Sequence, residues 1–159
     1  MRRQGAHIAM DFPAKQPVSA ATPAGLAEAL GHEPLFVGSN KMDYLVQLAS
    51  ADAVRDLTPD LGQLARVEAR GVVVTAVSDE PGYDFISRFF APRVGVPEDP
   101  VTGSAHCALG PFWQARLGKD EMVGYQASAR GGTVGVQVRG DRVVLLGEAV
   151  TVMRAELMI

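Results

Sequence analysis

Short apolar runs rich in valine, isoleucine and aromatic residues recur along most of the chain, separated by Gly, Pro, Asn or Asp. This pattern is typical of β-strands bounded by turns. The run from Gly71 to Ser78 is apolar and β-branched almost throughout, which indicates a strand buried on both faces. The pattern predicts strands at residues 6–12, 34–39, 43–50, 71–78, 83–92, 122–128, 133–140 and 142–157.

Two segments between the early strands predict helices. Residues 22–31 have Thr22 as a candidate N-cap, Pro23 at the first helical position and Gly31 just past the end. Residues 50–71 predict one or two short helices, with Ser50 as a cap and Pro59 separating the pieces.

A third helix is predicted from Ser104 to Gly118. Its apolar residues surround much of the helix axis, which is typical of a buried helix. Pro111 is expected to kink this helix or divide it into two. After it, Gly140 and Asp141 predict a tight hairpin turn between the last two strands.

Together these elements predict one α+β domain over residues 1–159. Many strands and one helix with apolar residues all round favour a mixed, mostly antiparallel sheet curled around a central helix. Alternating βαβ units fit the order of elements less well.

Composition narrows the class of protein. The net charge is -3 and no basic stripe is present, so nucleic acid is not expected as a partner. The sequence has neither a secretory signal pattern nor an apolar run of roughly 18 residues, so no membrane span is expected. A single cysteine favours a reducing, cytoplasmic location.

The loop before the central helix, "EDPVTGS", holds the candidate chemistry. Gly103 would let a ligand approach the backbone, and Ser104 could either cap the helix or help bind an anion at its positive end. Asp99 or Glu98 could orient a substrate or transfer a proton. An ordinary capped helix explains the same residues, and the local pattern alone leaves both interpretations open.

The other reactive residues favour structural roles. Cys107 could be activated near a helix N-terminus, but a buried cysteine in a packed helix is the simpler explanation. No metal-ligand spacing such as HxxxH or CxxC is present, so no metal is expected. Arg88, on a strand of buried character, could pair with a carboxylate such as Asp84 or reach a ligand.

Five motifs in order, "MDFPA", "SRFFAP", "EDPVTGSAH", "LGPFWQARLGK" and "YQASARGG", resemble those of phenazine-biosynthesis PhzF-like proteins. The resemblance spans nearly the whole chain and implies the diaminopimelate-epimerase-like fold, in which each of two domains is a sheet curled around a helix. It implies a cofactor-independent isomerase or epimerase that works by acid/base proton transfer in the cleft between the domains. On this resemblance Asp99, Gly103 and Ser104 line the cleft. Gly103 and Ser104 would hold a substrate carboxylate, and Asp99 would bind the substrate or assist proton transfer.

The sequence also departs from the family pattern. "MDFPA", where the family crosses into its second domain, already stands at residues 10–14, and no "GHAT"-like segment is present. The chain therefore resembles the family's C-terminal domain alone, without a counterpart of its catalytic glutamate, and Glu98 is not a substitute.

These observations lead to an expected function with open alternatives. We expect a PhzF-like isomerase domain that acts on a small carboxylate metabolite and is incomplete without a partner. That partner would be a second copy of the chain or a separate N-terminal half. The alternatives are a non-catalytic carboxylate-binding or interaction module, and a truncated gene product.

Overall fold

Ten strands form one sheet in the computed structural model, which describes residues 1–4 and 7–157. The strands are β1 (Arg2–Gln4), β2 (His7–Pro13), β3 (Val18–Ser19), β4 (Phe36–Ser39), β5 (Asp43–Gln47), β6 (Gly71–Val77), β7 (Phe85–Phe90), β8 (Glu121–Gln126), β9 (Gly132–Arg139) and β10 (Arg142–Gly147). Their order across the sheet is β1-β2-β10-β9-β8-β7-β6-β5-β4-β3. Neighbours are antiparallel except for the parallel pairs β5–β6 and β7–β8, which confirms the mixed, mostly antiparallel sheet.

The helices lie on both faces of this sheet. They are α1 (Leu26–Leu30), α2 (Ala51–Arg55), α3 (Leu61–Leu64) and α4 (Gly103–Leu117), and a 3-10 turn follows β7 at Pro92–Val94. Helix α4 packs against the inner face of β5 to β10 in one hydrophobic core. Helices α1, α2 and α3 pack with β4 to β7 in a second core.

Strand β6 explains how one sheet serves two cores. Val72, Val74 and Ala76 belong to the core with α1 to α3, whereas Val73 packs in the core with α4. Because successive side chains of a strand point to opposite faces, both faces of β6 must be apolar. This is the physical reason for the continuous apolar run in the sequence.

Pro111 was expected to kink α4 or divide it, and the division is wrong because α4 is continuous from Gly103 to Leu117. A proline has no N–H and leaves the carbonyl four residues earlier without its helical donor. Here that carbonyl belongs to Cys107, and it accepts a hydrogen bond from the Lys15 backbone N–H at 2.9 Å. The segment after β2 therefore satisfies the group that Pro111 leaves unpaired.

The predicted ends of the short helices were partly confirmed. Ser50 caps α2 by accepting from the Ala53 N–H at 3.1 Å, as expected. The expected start of α1 at Thr22 is wrong, because Gly25 has a left-handed backbone and the helix begins only after it. Gly31 ends α1 in the left-handed conformation, as expected.

The final strands follow the prediction as far as Gly147. The Gly140–Asp141 turn joins the paired residues Arg139 and Arg142. The expected strand over 142–157 ends at Gly147, and residues 148–157 have no regular structure. Their large apolar side chains are exposed. The predicted first strand begins at Ala6, which lies outside the described residues.

Candidate functional site

The N-terminal end of α4 is organised by Thr102, which occupies the N-cap position. Its hydroxyl does not cap the helix but donates to the Asp99 carboxylate Oδ2 at 2.5 Å. Its backbone N–H donates to Gln126 Oε1 at 2.8 Å. Ser104 therefore lies inside the first turn, and the expectation that it could cap α4 is wrong.

Gln126 fixes the loop that carries Asp99. The side chain is fully buried at the end of β8, and its Nε2 donates to the Asp99 backbone carbonyl at 2.6 Å and to Thr102 Oγ1 at 3.2 Å. A buried, fully hydrogen-bonded amide of this kind holds its neighbours in one geometry. The Asp99 backbone and the Thr102 hydroxyl are thus set by a residue distant in sequence.

The segment after β8 braces the same loop. Ser128 Oγ donates to the Pro100 carbonyl at 2.8 Å and accepts from the Gly131 N–H at 3.1 Å. At Gly132 a Cβ would stand 2.3 Å from the Val101 side chain, so only glycine fits there. The "YQASARGG" and "EDPVTGS" motifs therefore form one packed unit.

Arg70 and Asp43 were not predicted as site residues from the sequence. They form an ion pair that contacts Ser104 at the N-terminal end of α4. The Arg70 Nε and Nη2 atoms donate to the two oxygens of Asp43 at 2.8 and 2.5 Å. Nη2 also donates to the Ser104 hydroxyl at 2.9 Å. The parallel pairing of Asp43 with Gly71 brings the pair together, a contact that no local pattern announces.

The predicted site residues share this end of the helix. Gly103 is the first residue of α4 and is exposed, and Ser104 and Asp99 are partly exposed. The first amide groups of a helix have no partner within it, and they carry the positive end of the helix dipole. The arrangement can bind an anion beside a carboxylate held in place by Thr102.

His106 and Cys107 face away from any such ligand. His106 is fully buried, its Nδ1 lies 2.8 Å from the Thr102 carbonyl, and burial lowers its pKa to about 4. Cys107 is also buried, and burial raises the pKa of its thiol, so the reactive thiolate is disfavoured.

Glu98 and Arg88 pair with each other. Arg88 Nε and Nη2 donate to the Glu98 carboxylate at 2.7 and 3.1 Å, and Nη1 donates to the Leu57 carbonyl at 2.6 Å. Arg88 thus contacts neither Asp84, which pairs with Lys119, nor the helix end. Glu98 is engaged in a structural ion pair.

A shallow groove of about 310 Å³ lies beside the start of β5. Met42, at its rim, is joined to the site through its carbonyl, which accepts from the Arg70 N–H at 2.8 Å. The groove is lined by Ala14, Lys15, Gln16, Val18, Ser39, Asn40, Lys41 and Met42.

Within residues 1–4 and 7–157 no group of three or more His, Cys, Asp or Glu side chains could hold a metal ion. No helix in this part of the chain is long and apolar enough to cross a membrane.

A sheet curled around a helix, with a polar site at the helix N-terminus, is the arrangement implied by the resemblance to PhzF-like proteins. The profile of the PhzC-PhzF family, described as phenazine biosynthesis-like protein, matches residues 3–155. The chain belongs to this family.

Known relatives agree in sequence and fold. An uncharacterized isomerase of Halalkalibacterium halodurans is 49% identical over 158 residues, which are 99% of this chain and 60% of the relative. A PhzF-family phenazine biosynthesis protein of Enterococcus faecalis superposes with a TM-score of 0.87 at 33% identity, over 92% of this chain and 55% of that one. A PhzC/PhzF protein of Clostridium difficile gives 0.86 at 35% identity, over 99% and 60%. The chain thus spans about 60% of the length of the curated relative.

Proposed function

We propose that this chain forms part of a PhzF-like, cofactor-independent isomerase or epimerase. It binds a small carboxylate metabolite at the N-terminal end of α4 and assists acid/base proton transfer there. The observation that carries the proposal is the geometry of this end: the N-cap residue makes no side-chain capping bond within the described residues, Arg70 donates to the Ser104 hydroxyl, and Thr102 donates to the Asp99 carboxylate. The isomerase description of the relative agrees with this class of reaction.

Gly103 supports the carboxylate-binding part of the proposal. Its φ is not positive, and an added Cβ would meet only the Leu145 side chain, at an ordinary 3.6 Å. The fold therefore does not require glycine at this position. Close approach of a ligand to the helix amides does require it.

Asp99 is the proposed assisting residue. Its carboxylate accepts a short hydrogen bond from Thr102, which leaves further lone pairs for a substrate amine or hydroxyl. The principal acid/base, a glutamate in the family, would come from the opposite wall of the cleft, outside the described site.

The test compares the binding of benzoate with the binding of its neutral isostere benzamide. Both affinities are measured by thermal shift and by amide NMR. Ser104→Ala should weaken benzoate binding about tenfold, because it removes a hydrogen bond to a charged group. Asp99→Asn should instead tighten it severalfold, because it removes a negative charge beside the ligand. Ser78→Ala, outside the site, is the matched control.

Equal benzoate affinity in the wild type, Ser104→Ala and Asp99→Asn proteins would overturn the site. Carboxylate binding without incorporation of solvent deuterium, even when the second copy or N-terminal half that completes the cleft is present, would favour the alternative, a non-catalytic carboxylate-binding module.

We also propose that the opposite wall of the cleft comes from a second copy of this chain or from a separate N-terminal half. Val18 is 70% and Met42 42% exposed beside the groove, and covering them would stabilise association. Light scattering at micromolar concentration should give a dimer, and Met42→Glu should weaken it. A clean monomer would rule out the homodimer.

The buried free thiol of Cys107 suits the reducing cytoplasm that we propose as the location.

A further inference from the structure

Arg70 is held rigidly at the mouth of the proposed site. Its guanidinium is bound through two nitrogens to Asp43, whose side chain is 1% exposed. A two-pronged contact with a buried carboxylate fixes both the position and the plane of a guanidinium. The Arg70 side chain itself is one-third exposed, so this fixed group borders solvent at the helix end.

The contact between Arg70 and Ser104 determines what the serine hydroxyl can do. A guanidinium can only donate, so Ser104 Oγ must accept in the 2.9 Å hydrogen bond from Nη2. The hydroxyl proton is then available for another acceptor. A serine in the interior of a helix often donates to the carbonyl four residues earlier, but Ser104 is the second residue of α4, so the corresponding carbonyl, of Pro100, lies before the helix, where it accepts from Ser128.

We propose that Arg70 is a positioning residue that acts through Ser104. By occupying an acceptor site of the hydroxyl, it directs the Ser104 proton toward a carboxylate bound at the helix end. This inference rests on the proposed function, and it adds that Ser104 serves as a hydrogen-bond donor selective for an anionic oxygen. Asp43 contributes by fixing the guanidinium that orients the hydroxyl.

The inference is tested by a double-mutant cycle with benzoate and benzamide as the probes. Arg70→Lys is the main variant because it leaves a cation beside the buried Asp43, whereas Arg70→Met would leave that carboxylate unpaired. A lysine cannot hold Asp43 through two atoms and also reach Ser104, so benzoate affinity should fall about fivefold with little change for benzamide. Arg142→Lys alters a comparable but exposed Arg–Asp pair on β10 and should leave both affinities unchanged.

The double variant identifies the route of the effect. If Arg70 acts through Ser104, Arg70→Lys should cost almost nothing further in the Ser104→Ala protein, because the two effects are not additive. Three results would overturn the inference: wild-type benzoate affinity in Arg70→Lys, equal losses for benzoate and benzamide, or a full second loss in the double variant. In all three cases a benzoate response that depends on Ser104 leaves the proposed function standing. No Ser104-dependent benzoate binding in the wild-type protein would overturn both.

Discussion

At the scale of single residues, His106 shows how burial sets a charge state. Its Nδ1 faces the Thr102 carbonyl, which can only accept, so the neutral ring carries its proton on Nδ1. Nε2 is a buried acceptor without a hydrogen-bond partner among the described residues. Protonation would therefore place an unpaired charge in the core.

This environment predicts an acid-sensitive fold. The folded pKa of His106, about 4, lies below the unfolded value near 6.5, so the unfolded chain binds more protons between these values. Stability contributed by neutral His106 is thus complete above pH 6.5 and is lost as the pH falls toward 4. We expect urea unfolding to give a free energy about 2 kcal/mol lower at pH 5 than at pH 7.5 from this residue alone.

The matched variant is His106→Gln, which cannot titrate in this range. Its unfolding free energy should lack this part of the pH dependence. An unchanged pH dependence in His106→Gln would show that other groups cause it.

Single residues also mark the limit of prediction from sequence. Asp99, Gly103 and Ser104 belong to one short motif and could be nominated together. Arg70 contacts Ser104, which is 34 residues away in sequence, and Gln126 contacts Thr102, which is 24 residues away. Strand pairing brings these residues together, and composition does not reveal that pairing. The sequence could therefore predict the helix end itself, but not the side chains that fix its geometry.

At the scale of elements, α4 depends on a hydrogen bond from another segment of the chain. Its length and burial follow from its composition, but its continuity at Pro111 depends on the Lys15 N–H, which no local pattern could supply. Similarly, serine is a residue type preferred at N-caps, but Thr102, whose backbone N–H is bound by Gln126, occupies the N-cap position and α4 begins at Gly103. The identity of α4 and of β6 was predictable from composition. An element boundary was not predictable where a group distant in sequence determines it.

The close approach of α4 to the sheet yields a second prediction. A Cβ at Gly110 would stand 2.9 Å from Val136 Cγ1 and 3.3 Å from Val138 Cγ2. Gly110→Ala should therefore destabilise the fold by about 1–2 kcal/mol in urea unfolding, despite the better helix propensity of alanine. Gly103→Ala, in the same helix with room for a methyl group, should change stability by less than about 0.5 kcal/mol. Equal effects of the two substitutions would contradict the close packing.

At the scale of the whole molecule, one sheet joins two cores. Strand β6 contributes side chains to both, so neither core can lose its packing without exposing the strand that the other uses. The sequence indicated this sharing through the continuous apolar run of β6. It could not indicate which helices cover which face.

This sharing predicts a single unfolding transition. Trp113 is the only tryptophan and lies in the core with α4, whereas Leu30 lies in the core with α1 to α3. Leu30→Ala should lower stability by about 3 kcal/mol and shift tryptophan fluorescence and far-UV circular dichroism to the same lower urea midpoint. An unshifted fluorescence transition would mean that the cores unfold independently.

The position of α4 along the chain also matters during synthesis. The helix leaves the ribosome after β2 to β7 but before β8, β9 and β10, which cover much of its surface. Until residue 147 has been made, its apolar side chains are only partly enclosed, and exposed surface of this kind is where nascent chains aggregate. Native packing around α4 is therefore a late event, and until then the helix is a target for a chaperone that binds apolar segments.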